Sequence, residues 1–286
     1  MKLGLMFVNS GPFSAPQLLA HLAQTAERCG FESLWTVEHV VIPKDYKSPY
    51  PYSQSGKIPG GEDVPIPDPL LPLAYAAALT KNIKLATGVM ILPQRHPLYV
   101  AKEVATLDVL SGGRAILGIG SGWLKEEFDA LGLDFHQRGA RTDEAIKAIR
   151  ALWTENVSTF HGKHFNFDSL KSFPKPVQKG GVPIHIGGHS PAAARRAGRR
   201  GDGFFPALGE PDKLKELFTL MSSEAKQAGR NPEQIELSCM GRPKLDALKA
   251  LEDIGVSRAV IAPPAFDAEG LTRGLEKLGN EIIAKL

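Results

Sequence analysis

Residues 83–120, "IKLATGVMILPQRHPLYVAKEVATLDVLSGGRAILGIG", decide the fold class. The run from Ile83 to Leu92 is apolar with few interruptions, as a strand covered on both faces must be. Pro97 sits where a first helical turn tolerates proline, and Gly112-Gly113 stop the helix that runs from there to about residue 110. "RAILGIG" then repeats the apolar strand pattern. Two such strands joined by a helix form a β-α-β unit, whose strands lie parallel.

The alternation extends both ways from this unit. Upstream, residues 2–8 are a buried-strand run, and Leu18, Leu19, Leu22, Ala23 and Ala26 recur at helical spacing until Gly30 stops them. "SLWTVE" is a second strand. Residues 42–67, rich in Pro, Gly, Ser and Tyr, are a long loop, and Asp68-Pro69 cap a helix to about residue 81. Downstream come a helix over 138–153, an irregular segment whose "FHGKHFNF" suits a small hairpin, and the strand "VPIHIG" with a helix over 191–200. "GDGFFPA", a helix over 214–228, "IELSCMG", a helix over 244–254, "SRAVIAP" and a helix from residue 268 complete the count. Eight strand-helix pairs predict a single domain over residues 1–286, an α/β (β/α)8 TIM barrel with loop insertions at its C-terminal face. An open doubly wound sheet is the competing arrangement.

Active sites of such barrels gather at the C-terminal ends of the strands. The sequence sets polar residues there: Asn9, Glu38-His39, Gln94-Arg95-His96, Ser121 with Trp123, and His189-Ser190. In "IHIGGHSPAAARRAG" a strand turns through Gly187 and Gly188 into a helix capped by Ser190 and begun by Pro191. Such a turn offers free N–H groups to an anion, phosphate above all, and equally well makes a plain tight cap. Glu38-His39 offer an imidazole able to move a proton near neutral pH, with a neighbouring carboxylate to hold it. "GIGSGW" is a poor dinucleotide fingerprint, and its glycines read as close packing at the barrel mouth with Trp123 as a pocket wall. Gly88, inside a strand, marks a bulge or the close approach of another group.

Composition narrows the class. The chain has 286 residues, 43% hydrophobic and 23% charged, with a net charge of +3. This is a globular balance without the basic run that nucleic acid or a membrane surface would call for. No apolar stretch approaches a membrane span and the first residues lack a signal-peptide pattern, so a cytoplasmic protein is expected. Cys29 and Cys239 show no metal spacing and the histidines no ligand spacing, so no metal is expected.

Together, "ESLWTVEHVV", residues 83–132, "RGARTDEAIKAIRALW" and "IHIGGHSPAAARRAGRRGDGFFP" resemble the bacterial luciferase-like superfamily of flavin- and deazaflavin-dependent oxidoreductases, most closely the subgroup labelled dependent on coenzyme F420. The resemblance covers nearly the whole chain. It implies a flavin-type ring in the barrel mouth, backed by a non-prolyl cis peptide at Gly88-Val89. It also implies His39 and Glu38 as catalytic residues, Ser121 and Trp123 beside the cofactor, and Gly187, Gly188, His189 and Ser190 cradling its phosphate. Two departures stand out: Trp123 occupies the place of a glutamate found in some deazaflavin-dependent sugar-phosphate dehydrogenases, and "MGRPK" is short where monooxygenases carry a longer lid, leaving residues 42–67 as the candidate cover.

The resemblance implies F420-dependent hydride transfer to or from a small organic substrate. FMN, reduced by a partner reductase and used with oxygen in a monooxygenase, is the alternative cofactor and reaction. A barrel lyase or isomerase acting on a phosphorylated substrate is the alternative of another class. A homodimer through helices on one side of the barrel is also implied.

Overall fold

The computed structural model describes residues 1–207 and 210–286. The chain begins with β1 (Lys2–Leu5), α1 (Pro16–Arg28), β2 (Ser33–Thr36) and α2 (Leu70–Leu79). The opening stretch becomes β3 (Lys84–Thr87), β4 (Met90–Ile91), α3 (Pro97–Ser111) and β5 (Ala115–Gly120). Then follow α4 (Lys125–Ala130), α5 (Arg138–Thr154) and the hairpin of β6 (Ser158–His161) and β7 (Asn166–Leu170). The remainder is β8 (Ile184–Gly187), α6 (Pro191–Arg200), β9 (Gly203–Phe205), α7 (Pro211–Gln227), β10 (Glu236–Met240), α8 (Leu245–Glu252), β11 (Arg258–Ile261) and α9 (Ala268–Glu281).

The main sheet runs β3-β2-β1-β11-β10-β9-β8-β5, and all these pairings are parallel. β3 also pairs with β5, Leu85 opposite Ala115 and Ala86 opposite Ile116, which closes the sheet into an eight-stranded barrel. The open sheet is thereby excluded. β4 is the third barrel strand resumed after the cis peptide Gly88-Val89, and it rejoins β5 at Met90–Ile119 and Ile91–Gly120.

Trp35, Met6, Ala86, Ile116, Phe205 and Val260 pack together, and the larger apolar cluster joins the strands to the helices. Arg258, from the start of β11, bridges Glu32 (2.7 Å) and Glu236 (2.7 Å) near the N-terminal ends of the strands. The opposite end holds the site.

Most strands are shorter than the sequence suggests, because the residues beyond their last ladder bonds turn into the loops. Asp68 accepts the N–H of Leu70 at 2.9 Å, the helix start expected there. Residues 42–67 contain neither helix nor strand and are tied down at their ends. Asn9 accepts the N–H of Val37 (2.8 Å) and donates to the carbonyls of Val37 and Pro67 (2.9 Å each). α4 has no counterpart in the sequence reading.

Candidate active site

His39 follows β2 where the chain leaves the barrel wall. Its Nδ1 lies 3.0 Å from Oε2 of Glu127, whose side chain is fully buried, while the His39 side chain is 10% exposed. The other oxygen of Glu127 accepts the N–H of Val40 at 2.6 Å and that of Val41 at 3.3 Å. The carboxylate is thus shared between the ring and the backbone of the two residues that follow it, and among the described residues Nε2 has no hydrogen-bond partner.

Glu38 does not supply that carboxylate. Adjacent residues of an extended chain point opposite ways, and Glu38 turns into the wall, where it accepts the N–H of Ile91 and pairs with Arg95 Nε at 2.7 Å. Arg95 also bonds Asp68 at 2.6 Å. Burial pushes the Glu38 carboxyl up, against the pull of the Arg95 charge. Its position makes it a brace for the chain just beyond the cis peptide.

Trp123 meets the His39 ring edge-on, centroids 5.6 Å apart. Tyr46 (5.7 Å) and Tyr50 (5.2 Å) pack on Trp123, Tyr50 meets Tyr52, and Tyr52 reaches His189 at 5.0 Å. This chain of rings carries the 42–67 loop across the mouth, from the imidazole to the turn after β8.

Val89 is half-buried on the wall between them. A Cβ on Gly120 would lie 2.6 Å from Val89 Cγ2, and one on Gly187 would collide with Cγ1. These two glycines vacate the space that Val89 fills. Gly187 is therefore a packing residue of the wall.

In the turn itself, Gly188 has φ +112° and gives its N–H to the Phe205 carbonyl at 3.2 Å, so it supplies the bend and no anion donor. Ser190 Oγ accepts the N–H of Ala193 at 3.2 Å and its carbonyl that of Ala194 at 3.1 Å. The N–H groups of His189, Ser190 and Ala192 have no acceptor among the described residues. His189 Nδ1 is buried without a partner among the described residues, and burial, with Lys213 adding to it, pushes this imidazole below the usual histidine range.

The luciferase-like monooxygenase profile matches residues 5–257. The chain belongs to that family. A Mycobacterium tuberculosis protein of uncharacterised function is 31% identical over 274 residues, covering 93% of this chain and 94% of its own. The F420-dependent glucose-6-phosphate dehydrogenase of Kineococcus radiotolerans is 32% identical over 242 residues, 82% of this chain and 66% of that one. Among solved structures, the F420-dependent tetrahydromethanopterin reductase of Methanopyrus kandleri superposes with a TM-score of 0.78 at 21% identity, over 99% of both chains.

As a luciferase-like family member the protein is an oxidoreductase, which sets aside the lyase or isomerase reading. The mouth fits a phosphate-bearing ring cofactor on its own evidence: unpartnered N–H groups in a glycine turn, an orphaned His189 nitrogen, and a Val89 platform framed by two glycines. The Gln94 amide, just beyond the third barrel strand, also has both polar atoms buried without partners among the described residues. Ser121 is committed elsewhere, its hydroxyl 3.2 Å from both Thr142 Oγ1 and Arg196, which in turn holds Asp143 at 2.8 Å. Among the described residues no cluster of three or more His, Cys, Asp or Glu side chains could hold a metal ion, and no helix is long and apolar enough to cross a membrane.

Glu127 and the individual tyrosines of the covering loop are not legible in sequence as site residues, and Gln94 stands among the polar strand-end residues with no role assigned to it. The one signal for Glu127 was "KEEF", a charged run with no helical period long enough to detect.

Proposed function

We propose that this oxidoreductase binds coenzyme F420 and transfers a hydride to or from a small organic substrate, with His39 handling the accompanying proton. The observation that carries the reading is His39 braced by buried Glu127 at the barrel mouth, beside the Trp123 wall. A bound deazaflavin supplies the two-electron hydride chemistry. The N–H groups of His189, Ser190 and Ala192 and the Ser190 hydroxyl hold its phosphate, and Val89 backs its ring. Trp123, Tyr46 and Tyr50 keep water from the mouth, and His39 Nε2 gives or takes the proton.

The choice of F420 rests on the 32% identity to an F420-dependent dehydrogenase. The family name supports the second reading, a monooxygenase using FMN reduced by a partner enzyme. Parallel titration of the apo protein with F420 and with FMN, followed by visible absorption, separates them. Micromolar F420 binding is expected, and FMN binding without F420 binding would overturn the assignment. A homodimer suits the exposed Leu71 and Tyr75 of α2 and Tyr99 and Leu110 of α3; light scattering at the mass of one chain would refute it.

A further inference from the structure

α4 sets two consecutive glutamates against one stretch of chain. Glu127 holds His39 Nδ1 at 3.0 Å. Glu126 reaches the covering loop, where its Oε1 accepts the N–H groups of Lys47 (2.7 Å) and Ser48 (3.1 Å) and its Oε2 accepts the Ser48 hydroxyl (2.7 Å). Burial pushes the Glu126 carboxyl up, but the Ser48 hydroxyl and the backbone N–H groups together outweigh it and hold the group at about 2, so it is ionised and accepts at both oxygens. Between the two contacts the chain carries Tyr46, which packs on Trp123 and whose hydroxyl accepts the N–H of Ile58 at 2.7 Å.

A carboxylate accepts hydrogen bonds and does not donate them. A neutral His39 that meets Glu127 through Nδ1 therefore carries its proton on Nδ1 and a lone pair on Nε2. We propose that the glutamate pair is a positioning device: Glu127 fixes His39 as the Nδ1–H tautomer, making Nε2 a proton acceptor toward substrate, and Glu126 clamps the covering loop at Ser48 so that Tyr46 stands over Trp123. This deepens the reading of His39 as the proton-handling residue and rests on it. It also assigns a substrate class. An acceptor at Nε2 suits a substrate hydroxyl: as the O–H bond breaks its electron pair stays on oxygen and the proton passes to Nε2, giving an imidazolium whose charge faces Glu127.

The tautomer is read directly by NMR of protein carrying 15N-labelled histidine, the His39 signals being those lost in His39→Asn. The expected result is a neutral His39 protonated at Nδ1 and bare at Nε2. In Glu127→Gln the amide can donate to Nδ1 while its oxygen still accepts from Val40, and the ring is expected to move to the Nε2–H form. Glu126→Ala is expected to speed hydrogen exchange over residues 44–60 at least tenfold with the His39 signals unchanged. A wild-type His39 protonated at Nε2, a Glu127→Gln protein with the wild-type tautomer, or unchanged exchange in Glu126→Ala would overturn the proposal. The wild-type spectrum decides the first point even if Glu127→Gln fails to fold. None of these readings requires cofactor, so failure of F420 to bind would count against the functional reading alone.

Discussion

Val89 stands in space that two glycines leave open, and this shows what single residues reveal in sequence. The "GIG" of β5 is legible as close packing, and Gly120 proves to pack on Val89. Gly187 is not legible as such, since "IHIGGH" suits an anion turn or a plain tight cap equally, whereas among the described residues the N–H groups of His189, Ser190 and Ala192, beyond Gly188, have no acceptor. Gly187→Ala should lower stability by about 1–3 kcal/mol, the usual range for an overpacked site, and Val89→Ala in the same chain should recover most of it. Thermal denaturation checks both, and a Gly187→Ala melting temperature equal to wild type would refute the packing account. His39 is visible in sequence for its chemistry. Its partner is not, because Glu127 lies 88 positions away and only the barrel brings them together.

Among the elements, long periodic helices and buried apolar strands are legible because their patterns run for many residues. The six residues of α4 complete too few turns to show a period. The third strand reads as one run but is two pieces; Gly88 marks the irregularity in sequence, and the ladder breaks there, at the Gly88-Val89 peptide. The starts of β8, β10 and β11 are legible in sequence to within two residues, but the convergence of their side chains is not: His185 lies 3.4 Å from Glu236, which Arg258 holds at 2.7 Å. Burial first, then the Arg258 charge, pushes His185 from 6.5 to about 4. Between those values the unfolded chain binds this proton and the folded chain does not, so stability falls as pH drops from 6.5 to 4, by up to about 3 kcal/mol. Burial pushes the Glu236 carboxyl up, but Arg258, Lys2 and His185 outweigh it and hold the group at about 2. Its stabilisation is present above 4.5 and is lost as pH falls toward 2. His185→Gln should flatten the upper limb and keep the lower. Denaturant unfolding from pH 7 to pH 3 measures this, and an unchanged slope above pH 4 would contradict it.

At the scale of the whole molecule, the eightfold alternation was legible in sequence and favoured the barrel, because a closed parallel sheet repeats one simple unit, over the open sheet that the β3–β5 pairing excludes. The covering of its mouth was not, since residues 42–67 have no period and are fixed by contacts with Glu126, Trp123 and His189 from distant parts of the chain. We propose that a phosphate-bearing deazaflavin spans this mouth, with its phosphate on the turn that opens α6. Ala192 is exposed in the first turn of that helix, so Ala192→Glu should leave the fold intact while placing a carboxylate among the anion donors. Calorimetric titration of F420 into both proteins is the most direct test. The account predicts micromolar affinity for wild type and at least tenfold weaker binding for Ala192→Glu, about 1.4 kcal/mol; equal affinity in the two proteins would contradict it.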